Sequence, residues 1–196
     1  TAHFLQKALK ESGHSADVVG DGQAGLALAR EGAYDVLIVD RMLPLLDGLG
    51  YRSWVSTEPG KPDGWSVTLL VAGRVGEVEV GSGPELRRQH LWARGGLLGD
   101  RTFYAVHPQA PMARWQARVW RRDLAAIAHW TAALPGPIVA GDFNATLDHG
   151  PFRAALTGVK DAAEGTGQGL TGTFRAGIPR WAGIHIDHVL IPREAA

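Results

Sequence analysis

Cysteine is absent from this 196-residue chain, which excludes disulfides and every zinc or iron–sulfur site built on thiolates. Net charge is absent too, because 20 Lys and Arg balance 20 Asp and Glu. That balance leaves no polybasic membrane anchor, no nucleic-acid-coating tail and no disordered acidic segment. No apolar run approaches the roughly 18 residues of a membrane-spanning helix, and no basic–apolar–small-residue leader opens the sequence. The first residue is Thr1 rather than Met, so a trimmed or partial chain is expected. What remains is enough for one full domain or two small ones with a sizeable core.

The even totals conceal a seam. Residues 1–50 carry an acidic excess that the rest of the chain compensates, and all seven Trp lie beyond them, from Trp54 to Trp181. Between positions 85 and 122 eight Arg stand against Glu85 and Asp100. Such a stretch either attracts an anionic substrate or forms a solvated face.

Before the seam, Phe4, Leu5, Ala8 and Leu9 recur at helical spacing, with Gly13 as a stop. Val18 and Val19 mark a short strand, and Ala24, Ala27 and Leu28 stripe a second helix that Gly32 can end. Val36–Val39 shows no polar alternation, the pattern of a parallel strand covered on both faces. Asp40 follows at its carboxyl end, where open parallel sheets place their sites. The stretches FLQKALKESGHSADVVGDGQAGLALAREGAYDVLIVD and MLPLLDG resemble a response-regulator receiver domain, truncated to residues 1–48. The resemblance implies that Asp40 is a phosphoacceptor. It also implies a preceding strand with an acidic pair for magnesium and later Ser/Thr and Lys strands, none of which is recognisable here. Phosphoryl transfer needs that charge neutralisation and in-line placement.

Beyond the seam, Ser66–Val71, Glu77–Val80 and Thr102–His107 read as strands. A helix is expected over Pro111–Leu134, where Trp120, Leu124, Ile127, Thr131 and Leu134 advance by four, three, four and three. Trp120 and Trp130 read as core anchors. Pro135-Gly136-Pro137 stops the helix, and Ile138–Ala140 forms a buried strand that runs into Gly141-Asp142-Phe143-Asn144. There Gly141 permits a tight turn, and Phe143 points back into the core. Asp142 and Asn144 project a carboxylate and a neutral amide into one crevice, the first to orient water or a cation, the second to donate to a phosphoryl oxygen. In Ile184–Ile191 strict alternation places Ile184, Ile186 and His188 on one face and His185, Asp187 and Val189 on the other. His107-Pro108 follows another strand, and His107 there either contacts phosphate as a cation or serves a turn when neutral.

The order of YAVHPQAP, LPGPIVAGDFNATLDHGPFRAAL and IHIDHVLIP resembles the endonuclease/exonuclease/phosphatase superfamily over residues 49–196. The resemblance implies an α/β fold: a partial four-layer α/β sandwich, here carrying the truncated receiver-like βαβ segment at its amino terminus. It implies a metal-dependent phosphoesterase in which His107 contacts the scissile phosphate, Asp142 orients water or supports a metal, Asn144 stabilises a phosphoryl oxygen and Asp187 holds the catalytic histidine. Phe152–Leu156 would be a short helix, Leu170–Phe174 a polar loop, and Arg74 matches a position where the family often has a Ser-Arg pair. The family also carries an early Asn, a metal-binding Glu and a terminal Asp-His strand, which this sequence does not show. Weak Mg²⁺ or Mn²⁺ binding at Asp142 and impaired hydrolysis are therefore expected, with Glu58, Glu77 and His188 as the residues that would complete a working site. The substrate expected is a phosphomonoester or phosphodiester: a phosphorylated small molecule, nucleotide, phospholipid or short nucleic acid, without extensive DNA wrapping. A degenerate signalling module using Asp40 is the alternative. The receiver-like start points to cytoplasm and the hydrolase-like part to export or membrane attachment, so location stays open, as does oligomeric state.

Overall fold

The computed structural model describes residues 17, 27–29, 31, 36–37, 50–57, 66–133, 135–164, 172–174 and 183–193. Asp40, Glu58, Leu134 and most of the receiver-like segment lie outside the described residues. Within them, the short apolar runs become nine strands in two sheets. The smaller sheet orders β1 (Val36–Leu37), β3 (Thr68–Ala72) and β2 (Tyr51–Val55) antiparallel, with β3 central. The larger sheet runs β4 (Val78–Gly81), β5 (Leu91–Gly95), β6 (Phe103–Val106), β7 (Ile138–Asp142), β9 (Asp187–Pro192), β8 (Val159–Asp161). No helix among the described residues is long and apolar enough to cross a membrane.

The two sheets share one core. Tyr51, Leu69, Leu70 and Val71 of the small sheet pack with Leu91 and Ala93 of the large one, and Ala29, in a helical turn at 27–29, joins the same cluster. On the large sheet's other core lies the helix α1 (Arg114–Thr131), which buries Trp120, Leu124, Ile127 and Thr131 as the stripe anticipates. A short helix, α2 (Gly150–Ala154), adds Phe152 to that cluster, together with Val139, Phe143 and Leu190. The helix–sheet–sheet layering is the α/β architecture expected.

The details depart from expectation in instructive ways. Val36–Leu37 pairs antiparallel with β3, Val36 opposite Val71 and Leu37 opposite Leu70, rather than in parallel. An unbroken apolar run reports burial, not strand direction. Neither β5 nor β8 has a counterpart in the reading of the sequence; β8 is three residues long. The last strand begins at Asp187 instead of Ile184. Ahead of it, the Thr173 hydroxyl oxygen accepts the N–H groups of Ile186 and Asp187 at 2.9 and 3.1 Å, so a side chain replaces the ladder there. Strand alternation consequently does not extend back to His185. The rings of His185 and His188, expected on opposite faces, meet with centroids 4.6 Å apart.

Candidate functional site

The site forms where strand ends meet. β6 and β7 are parallel and are joined by the α1 crossover, so their carboxyl ends lie side by side. β9 runs antiparallel to β7, which brings its first residue, Asp187, opposite the last residue of β7, Asp142. Gly141 closes the gap. It has φ 151° and pairs with Val106, and any Cβ at this position would be driven into the Val106 carbonyl. The close approach sets His107, the residue after β6, with its Nε2 3.8 Å from Asp142 Oδ2.

Past β7 the chain turns through a left-handed residue, Asn144, at φ 49°. Asn tolerates this conformation better than most side chains, because its short amide bonds locally. The Asn144 N–H donates to Asp142 Oδ1 at 2.7 Å, and its Nδ2 donates to the Pro108 carbonyl at 3.1 Å, tying the β7 turn to the β6 turn. Phe143, fully buried between them, packs against Phe152. Its carbonyl accepts the Trp120 indole N–H at 3.1 Å, so α1 holds the turn from behind. His107, Asp142, Asn144 and Asp187 are thus brought together from three separate stretches of sequence.

Burial pushes the Asp142 carboxyl up to about 6; the neighbouring Asp187 adds to the rise, while the Asn144 N–H and Arg88 oppose it. Burial also pushes His107 down to about 4, aided by the Arg88 cation. Arg88 NH1 donates to His107 Nε2 at 3.0 Å. A guanidinium only donates, so Nε2 carries the lone pair and the His107 proton sits on Nδ1. Of the two states open from the sequence, the geometry selects neutral His107.

Two residues that sequence reading missed build this arrangement. Arg88 is one. The other is Asp123, fully buried in α1, whose Oδ1 accepts the Arg87 N–H at 2.9 Å and whose Oδ2 accepts the Gln109 N–H at 3.1 Å. Asp123 lies three residues after Trp120 and four before Ile127; an acid within an apolar stripe was the available signal. Beside it a cleft of about 440 Å³ opens between Arg87, Gln89 and Arg122, with none of the four strand-end residues in its lining.

Of the residues expected to complete the site, Glu58 lies outside the described residues, and neither Glu77 nor His188 joins the strand-end cluster. Glu77 is exposed and pairs with Arg52 at 3.3 Å. His188 is buried, with Nδ1 2.6 Å from Asp161 Oδ2 and Nε2 donating to the Ala145 carbonyl at 2.8 Å. Asp161, His185 and His188 form a buried cluster of metal-ligand chemistry, with candidate ligand atoms within 4.8 Å of one another. Its His188–Asp161 contact is, however, shorter than the roughly 3.3 Å that separates ligands about 2.0–2.2 Å from a tetrahedral ion, so a hydrogen bond closes it. Asp142 and Asp187 suit a cation better: two carboxylates at one strand end, with Asp187 disfavouring the charge on Asp142, resemble the one or two that hold a hydrated divalent cation.

Comparison with known proteins follows the same lines. The model of the endonuclease/exonuclease/phosphatase family matches residues 16–196. Among solved structures, a Neisseria 3′ phosphatase bound to product DNA hairpin is 15% identical, with 88% of this chain and 81% of that one covered at a TM-score of 0.59. A functionally unknown conserved protein from Enterococcus faecalis is 15% identical over 87% and 78% of the two chains, TM-score 0.58. A mannosyl-6-phosphatase of Bacteroides thetaiotaomicron is 13% identical over 87% and 75%, TM-score 0.56. A different likeness covers a short stretch: 48 residues are 48% identical to the Escherichia coli transcriptional regulatory protein PcoR, 24% of this chain and 21% of that protein. The chain spans about a fifth of that regulator's length.

Proposed function

Since the chain belongs to the endonuclease/exonuclease/phosphatase family, we propose that it hydrolyses a phosphomonoester or phosphodiester at the strand-end site, slowly and with Mg²⁺ or Mn²⁺. The observation that carries this reading is the meeting of Asp142, Asp187, Asn144 and His107 at the joined ends of β6, β7 and β9. Asp142 and Asp187 would hold the ion weakly; bound there, it would polarise a phosphoryl oxygen and lower the pKa of coordinated water. Asp142 orients the attacking water with Oδ2, since Oδ1 is engaged by Asn144. Asn144 has a second amide hydrogen for a phosphoryl oxygen, and the bond to Pro108 fixes its aim. His107 lines the phosphate position. With its Nε2 engaged by Arg88 and its basicity lowered by burial, it is a poor general base, which is why turnover is slow.

Substrate class follows the phosphate alone: a phosphorylated small molecule, a nucleotide, a phospholipid headgroup or a short nucleic acid. The test is hydrolysis of p-nitrophenyl phosphate and its bis-ester with Mg²⁺ or Mn²⁺. Turnover below roughly 1 s⁻¹ is expected, under the ordinary enzyme range, falling at least about a hundredfold in Asn144→Ala and Asp142→Ala. Hydrolysis indifferent to both substitutions would overturn the assignment.

The 48-residue likeness to a transcriptional regulator favours one second reading, in which Asp40 accepts a phosphoryl group. Labelling by acetyl phosphate that disappears in Asp40→Asn would support it, and an unlabelled protein would end it.

A further inference from the structure

We propose that Arg88 is the group that receives the substrate's phosphoryl oxygen, supplying the positive charge that His107 does not. The inference rests on reading the strand-end cluster as a phosphoesterase site. Its basis is a charge imbalance in that cluster. Asp142 and Asp187 are both acidic, Asn144 is neutral, and Nε2 of His107 accepts a hydrogen bond, so the imidazole has no proton there to offer an anion. Arg88 reaches this cluster directly: its NH1 lies 3.0 Å from His107 Nε2, and its charge acts on Asp142.

The guanidinium is also held in place. Its segment, between β4 and β5, is fixed by the Asp123 carboxylate, which bonds the Arg87 N–H with one oxygen and the Gln109 N–H with the other. The loop bearing Arg88 and the turn bearing His107 are therefore fastened to the same residue of α1. Arg88 is half-buried, so its side chain is confined rather than swept through solvent. A guanidinium presents five N–H donors in a planar fork matched to phosphate oxygens. The bond to His107 uses one of them. Electrostatically, an anion placed between Arg88 and the Asp142–Asp187 pair with its cation would meet positive charge on two sides.

Arg118 provides the control, since it lies exposed on α1 and changes net charge equally when removed. Inorganic phosphate is titrated by calorimetry into the full chain at fixed Mg²⁺. Arg88→Met should weaken phosphate binding about tenfold or more, Arg88→Lys should weaken it less, and Arg118→Met should leave it within twofold. The lysine variant retains charge in a partly exposed position and guards against misfolding of the methionine variant. Equal losses in Arg88→Met and Arg118→Met, or unchanged affinity in Arg88→Met, or no phosphate binding by the unaltered chain, would each overturn the proposal. The two readings separate cleanly: unchanged affinity in Arg88→Met faults Arg88 alone, whereas hydrolysis indifferent to Asp142→Ala and Asn144→Ala faults the site.

Discussion

At the scale of single residues, burial moves the two titrating groups at the site in opposite directions. Asp142 stands near 6, against about 3.9 for an unfolded carboxyl, so between those values the folded chain binds the extra proton. Its contribution to stability therefore falls as pH rises from about 4 to about 6. His107 stands near 4, against about 6.5 unfolded, so the unfolded chain binds the extra proton and its contribution rises over about 4 to 6.5. Each shift corresponds to at most about 3 kcal/mol, and solvent reduces this because the side chains are 22% and 30% exposed. The two slopes largely cancel. Relative to the unaltered chain, Asp142→Asn should gain stability with rising pH by about 1–2 kcal/mol between pH 4 and 6, and His107→Gln should lose a similar amount. Urea midpoints at pH 4, 5 and 6 in the presence of a chelator read both, and parallel profiles for all three proteins would contradict the opposed shifts.

Among the elements, α1 does more than fill the core. Its Trp120 indole holds the Phe143 carbonyl, and its Asp123 carboxylate holds two loops. In Asp123→Asn only one acceptor oxygen remains for two backbone N–H donors, and the new NH₂ would face one of them. A loss of roughly 2 kcal/mol or more is expected from the unpaired buried group, measured by denaturant unfolding, along with weakened phosphate affinity as Arg88 loses its support. Stability within a few tenths of a kcal/mol of the parent would show the two bonds to be dispensable. The α1 stripe, the β7 run and the Gly141–Asn144 turn were legible because period and turn chemistry are local properties. Arg88 was not, because it acts across 19 residues of sequence and looks like ordinary surface charge there; Asp123 showed as an acid inside the stripe, but the loops it fastens lie 14 and 36 residues away, beyond any local pattern. The onset of β9 escaped for a related reason, since a hydroxyl from Thr173 replaces the pairing that alternation presupposes.

For the whole molecule, the sheet order sets a gradient of protection. β7 lies between β6 and β9, whereas β1 and β8 sit at sheet edges with one neighbour each among the described strands. Hydrogen exchange should be slowest at Val139 and Ala140 and much faster at Val36 and Leu37, because edges open without disrupting the core; comparable protection at both would argue against β1 as a simple edge. The parallel pairing of β6 with β7 has a further consequence, for the order of assembly. Their neighbours are antiparallel, but these two strands cannot meet until the 31 residues between them have formed α1 and folded back. Long-range pairings of this kind close late, because loop entropy must be overcome first. His107 and Asp142 stand at the two ends of that last closure. A partly folded chain can hold hairpins, helix and much of its hydrophobic surface in place and still lack the His107–Asp142 meeting, so recovery of the proposed phosphate affinity during refolding would track completion of the native topology itself.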